Sequence, residues 1–126
     1  MHFGCVLAPF AFSWSAVLVA VALVWITGGL GVCLCYHRLL THRSFKVTPI
    51  LQYVLTIIGT LAWQDSVFNW VGTHRLHHCH PDDEFDPHSP KHGFDWSHVL
   101  CWMTKEQTSM DPKQLTKDLQ RDPVMV

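Results

Sequence analysis

No charged side chain occurs between Phe3 and Tyr36, and this run constrains the fold more than any other feature of the chain. A spanning helix needs about 20 apolar residues to cross a hydrocarbon core of roughly 30 Å, so the run is too long for one helix and too short for two. Pro9, followed by Ser13 and Ser15, is the expected break. Residues 14–36, Trp14 to Tyr36, then form one transmembrane helix, and residues 1–12 are the stub of another span. Ala20-Val21-Ala22 offers a small-residue cleavage site and hence a signal peptide as the competing reading. No basic segment precedes it and the apolar run continues beyond it, which disfavours cleavage. Gly28, Gly29 and Gly31 near the exit let a second helix approach closely. Arg38, Arg43 and Lys46 follow directly and place that end in the cytoplasm by the positive-inside rule.

Val47 to Trp63 is a shorter apolar stretch, interrupted by Pro49, Gln52, Thr56 and Gly59. Were it to cross the bilayer, the histidines on its two sides would face opposite compartments. A buried or interfacial helix that returns to the same side is therefore expected. After Trp70 come a turn-rich acidic loop from Pro81 to Pro90, a short aromatic helix from Gly93 to Met103, and a polar stretch from Lys105 to Val126. Leu115 and Leu119 lie four apart in that last stretch, which predicts an exposed amphipathic helix ending at Asp122-Pro123. The fold class expected is all-α: a membrane helical protein whose residues 37–126 form a cytosolic, helical, metal-binding region, the whole of 1–126 being one incomplete domain.

Ten histidines equal the combined Asp and Glu count, a heavy bias toward the commonest side-chain metal ligand. Net charge is −1 with a pI near 6.8, so no basic field argues for nucleic acid. The five cysteines are odd in number and form no CxxC pair, which suggests neither a disulfide framework nor a zinc knuckle. Cys33 and Cys35 fall on opposite sides of a helix as packing residues. His74, His77 and His78 occupy positions i, i+3 and i+4, one face of a helix. His37 and His42 are five apart, about 140° around an ideal helix, and are expected to approach a site from different directions near a helix end. Five imidazoles exceed the needs of one tetrahedral zinc, so two metals or one wide shell is the better inference.

The run His37-Arg38-Leu39-Leu40-Thr41-His42 resembles the first histidine box, HxxxxH, of integral-membrane fatty acid desaturases, and His74-Arg75-Leu76-His77-His78 resembles their second, HxxHH. Asp86-Pro87-His88-Ser89-Pro90, Gly93-Phe94-Asp95-Trp96-Ser97-His98, Gly28-Gly29-Leu30-Gly31 and the stretch from Trp63-Gln64 to Asn69-Trp70 also match the stearoyl/Δ9 branch. The resemblance implies a di-iron enzyme that inserts a cis double bond into an acyl chain. It implies molecular oxygen as oxidant and two electrons from a ferredoxin or cytochrome b5 type donor. His37, His42, His74, His77 and His78 are the implied ligands of two iron ions, and Gln64 and Trp70 match residues that shape the acyl tunnel. Cleaving an unactivated C–H bond fits iron and not redox-inert zinc.

Gly72-Thr73 stands where animal acyl-CoA enzymes carry an Arg-Asp pair, so the resemblance favours acyl-lipid over acyl-thioester substrates. No histidine follows His98, whereas the family carries a third HxxHH box. The chain is therefore expected to be a fragment, from a truncated gene or an incomplete sequence, that forms no unsaturated product alone. A related membrane di-iron hydroxylase and a non-catalytic metal-binding membrane protein are the alternatives. A zinc metallopeptidase is disfavoured by the lack of HExxH. Among the other histidines, His88 and His98 are candidates for holding a loop near the site, and Asp82, Asp83, Glu84 and Asp86 for hydrogen-bonding ligand imidazoles, although most of these four carboxylates read as a solvated turn.

Overall fold

The computed structural model describes residues 6–103 and 111–125, and within them every regular element is helical. A turn over Ala8–Ala11 with Pro9 in its first positions gives way to extended backbone at Ser13, where the long helix α1 (Trp14–Thr41) starts. The break falls where Pro9 and the serines predict it. Residues 1–5 of the expected stub lie outside the described residues. Helix α1 is five residues longer than the span expected to end at Tyr36, because its π-helical part, Trp25–Thr41, carries the first histidine stretch on its final turns.

The two parts of α1 meet different surroundings. From Trp14 to Val24 no residue is buried, and Leu18, Val21 and Val24 present more than half of their surface. An apolar surface of that kind is costly in water and favourable in lipid, and α1 is long and apolar enough to cross a membrane. In the second part, Gly31, Val32, Cys35, Tyr36, Leu39 and Leu40 are buried in a core shared with Leu55, Val67, Trp70, Val71 and Leu119. Cys33 is exposed while Cys35 is buried, as their two-residue spacing requires.

Helix α2 (Pro49–Thr60) begins with proline at a position that needs no hydrogen bond. It runs back along α1: Gly31 faces Gly59, while the later Tyr36 and Cys35 reach the earlier Thr56. The glycine signal resolves to one position. A Cβ built on Gly31 would lie 2.5 Å from the Gly59 Cα, whereas one on Gly28 meets nothing within 4 Å. Just beyond Thr60 the chain reverses through Trp63 and Asp65, both in the left-handed region with φ of 56° and 73°. Helix α3 (Val67–Cys79) starts where the Ser66 hydroxyl accepts from the Asn69 N–H at 3.3 Å. It ends at His80, which Pro81 holds out of helical geometry. The pair α2–α3 is thus a hairpin laid against α1: α2 leads the chain away from the first histidine stretch, and α3 carries it back beside His37 and His42.

The polar stretch at the end of the chain departs from expectation. It forms two short 3-10 turns, Pro112–Thr116 and Leu119–Arg121, in place of one exposed helix; residues 104–110 lie outside the described residues. Pro112 sits close enough to Gly72 that a Cβ there would come within 2.2 Å of the proline carbonyl oxygen. Thr116 and Leu119 are buried, and Tyr53 on α2 donates to Asp122 at 3.1 Å. Packing against α3 has overridden the four-residue leucine spacing, which by itself carries no information about the partner surface.

Candidate metal centre

The last turns of α1 and the second half of α3 run side by side, so their imidazoles meet. The Nε2 atoms of His37 and His42 are 3.1 Å apart, as are those of His74 and His78. Across the helices the rings of His37 and His74 have centroids 4.7 Å apart, and so do those of His42 and His78. One donor atom from each of the four lies within 4.8 Å of all the others. Two imidazole nitrogens held at ~2.1 Å by one ion are separated by roughly 3.0–3.4 Å for right-angled to tetrahedral placement. The two close pairs match that spacing, and the donor set fits a divalent transition ion.

His37 and His42 share a face after all, and backbone hydrogen bonding is the reason. The His42 N–H donates to the His37 carbonyl at 3.0 Å, an i→i+5 bond that widens the turn until position i+5 returns over position i. The 140° offset of an α-helix does not apply here. The π-helical geometry runs from Trp25 to Thr41, and at its end it converts a five-residue spacing into a pair of adjoining imidazoles.

His77 points elsewhere. Its Nδ1 is 2.9 Å from both oxygens of Asp86, and its ring stacks on His88 with centroids 4.2 Å apart. Asp86 is buried and also accepts from the backbone N–H groups of Asp82 and His88. An ionised carboxylate only accepts, so Nδ1 carries the proton and the His77 Nε2 lone pair is left free, the arrangement common for metal-bound histidines. The five expected ligands thus divide into a group of four and a separate His77. Asp83 bonds His80 instead, at 2.9 Å, as part of the exposed turn. His98 stacks on Phe94.

Gln64 and Trp70 are joined directly: the indole N–H donates to Gln64 Oε1 at 3.1 Å. Trp70 is buried beneath the cluster, stacked on His74 with centroids 5.0 Å apart and tilted against Tyr36. Trp70 therefore adjoins His74 directly, and Gln64 is linked to it through the indole.

Known proteins carry the same stretch. An sn-1 stearoyl-lipid 9-desaturase of Anabaena variabilis is 48% identical over 98% of this chain and 46% of its own length. A Delta-9 acyl-lipid desaturase of Arabidopsis thaliana is 50% identical over 82% of this chain and 33% of its own. The chain belongs to the fatty acid desaturase family. It spans about half the length of the Anabaena desaturase. An acyl-CoA 5-desaturase of Anemone leveillei is 46% identical over 82% of the chain. No family model matches the chain, and no solved structure does.

Burial and neighbouring imidazoles lower His37, His74 and His78, which favours their neutral, metal-binding form. Burial, followed by repulsion from His37, His78, His42 and His77, holds His74 down at about 3. Burial and the neighbouring His42, His77 and His88 lower His78 as well. Burial alone would raise Asp86, but bonds from His77 and the two backbone N–H groups bring it below its usual value. A histidine lowered in the fold binds its proton more readily when unfolded, so stability rises with pH across the window between the two values. Without metal, the thermal midpoint is expected to be level above about pH 6.5, the unfolded value, with respect to His74. It should fall progressively as the pH drops toward 3. Circular dichroism melts in detergent micelles check this, and a His74→Gln variant should lose much of the slope between pH 6.5 and 4.

Three residues near the site carry more than the sequence pattern suggests. Asp86 and His88 sit in the acidic turn, where a carboxylate that reaches a ligand is indistinguishable from its solvated neighbours. Asp118 lies in a stretch with no motif at all, yet it accepts from Arg75, beside His74, and from Arg43, beside His42.

Proposed function

We propose that this chain supplies the first part of an oxygen-dependent acyl-lipid desaturase. In this reading His37, His42, His74 and His78 hold one iron, and His77 contributes its Nε2 to a second. The convergence of four imidazoles from α1 and α3 within 4.8 Å supports this most directly, together with the names of the relatives. Bound iron would supply the oxidising power drawn from O2: two hydrogens leave adjacent acyl carbons as a cis double bond forms, and O2, two electrons and two protons complete two waters. In this reading the electrons come from a ferredoxin or cytochrome b5 type donor, and the basic Arg38, Arg43 and Lys46 favour a site on the cytoplasmic face.

The residues of the chain have separable tasks. Trp70, fixed by Gln64 and by stacking on His74, forms an apolar wall that aligns an acyl chain and excludes water next to the ligands. Asp86 fixes the tautomer and direction of His77. The exposed apolar face of α1 keeps the site at the membrane, where acyl lipids reside.

Replacing the matching stretch of the Anabaena desaturase with this chain, in a host lacking that enzyme, tests the reading. Gas chromatography should show a cis monoenoic acyl product from the chimera and none from the chain alone. Asp86→Asn should lower activity about 10–100-fold, the usual effect of losing the partner of a ligand histidine. A hydroxylated product, or a chimera that binds iron and forms no alkene, would overturn it.

A further inference from the structure

One carboxylate grips the residue beside a ligand on each of the two helices. Arg75, next to His74, donates from its two terminal nitrogens to the two oxygens of Asp118, at 2.7 and 3.1 Å. The same guanidinium donates at 2.7 Å to the carbonyl of Leu40, in the last turn of α1, where helix carbonyls lack partners of their own. It also donates to the Leu115 carbonyl at 2.6 Å. Arg43, next to His42, donates to the second oxygen of the same Asp118. Arg43 has a φ of 50°, a left-handed conformation that glycine usually supplies after a helix end. Burial would raise the Asp118 carboxyl, yet the bonds from Arg75 and Arg43 hold it at about 2, so it stays ionised at neutral pH.

A bidentate arginine–carboxylate pair fixes geometry as well as charge. Here it connects α3 to the end of α1 at the level of the ligands, and Arg43 ties the turn after His42 to the same point. We propose that Asp118 is a positioning residue of the four-imidazole centre, acting through Arg75 and Arg43 to set the distance between the His37–His42 and His74–His78 pairs. This rests on the reading of those four histidines as ligands. The role is distinct from merely fastening the terminal stretch to the helices, because Asp122 does that separately through Tyr53 and touches neither histidine stretch.

Cobalt(II), whose visible absorption reports ligand number and geometry, is titrated into the whole chain purified in detergent micelles. The comparison set is Asp118→Asn, Asp118→Glu, Asp122→Asn and His78→Ala. Asp118→Asn is expected to weaken cobalt binding about tenfold, the lower end of effects seen for groups that support ligands, and to change the visible spectrum at saturation. Helix content should be unchanged. Asp118→Glu should restore part of the affinity, and Asp122→Asn should stay within about twofold of the parent chain. Equal losses in Asp118→Asn and Asp122→Asn, or an Asp118→Asn chain that binds like the parent, would overturn the positioning role while leaving the site intact. A parent chain that binds no cobalt, or binds it as well after His78→Ala, would overturn the metal centre and the role with it.

Discussion

Replacing His78 with alanine is expected to abolish tight binding of one divalent ion, lowering affinity by more than about 100-fold, beyond the range seen for outer partners of a ligand. His77→Ala should leave that same ion bound within a few-fold. The two residues are adjacent in sequence and both belong to the same five-residue motif, yet the structure sends them to different places. His78 closes on His74 at 3.1 Å, while His77 is engaged by Asp86 at 2.9 Å. Equilibrium dialysis of iron(II) or cobalt(II) under anaerobic conditions against the two variants measures the difference. Equal losses would mean that the motif acts as a single shell, and the division into four and one would be wrong.

The second large effect concerns the helix crossing that brings the ligands together. Gly31→Leu is expected to destabilise the hairpin against α1 by about 3 kcal/mol or more, the upper range for overpacking. The neighbours of an added Cβ are the Gly59 Cα at 2.5 Å, the Gly59 N at 2.6 Å and the Ile58 carbonyl carbon at 2.8 Å. All three are backbone atoms, which cannot rotate away as a flexible side chain can. Gly28→Leu, one turn earlier and facing open space, should be close to neutral. Denaturation in mixed micelles followed by circular dichroism separates the two. Because α2 leads into α3, the Gly31→Leu chain should also lose cobalt affinity, whereas Gly28→Leu should retain it.

Both effects trace back to a division of information between sequence and structure. The charge-free run, the break at Pro9, the basic residues after Tyr36 and the two histidine stretches are local patterns. Their physical meaning does not depend on what lies opposite them: a bilayer requires apolar length, a proline lacks its N–H, and an imidazole carries its lone pair wherever it sits. These features were enough to predict an all-α chain with a membrane-capable helix and clustered histidines that could hold metal, and the family resemblance followed from the same motifs. The close approach of α1 and α2 was legible as a glycine cluster, though not the fact that, of Gly28, Gly29 and Gly31, it is Gly31 that meets α2.

Three things needed the tertiary structure. The pairing of His37 with His42 depends on i→i+5 bonding, and the number of residues per turn is a property of the folded backbone that side-chain spacing cannot report. The selection of Asp86 from among Asp82, Asp83 and Glu84 depends on burial and on two backbone N–H groups that converge only when the loop closes. The role of Asp118 depends on packing of the terminal stretch against α3, where one carboxylate meets two arginines more than 40 positions upstream. Residue chemistry thus determined what kind of centre this chain can hold. Distances between segments remote in sequence decided which side chains meet there, since contacts across the fold leave no periodic trace along the chain.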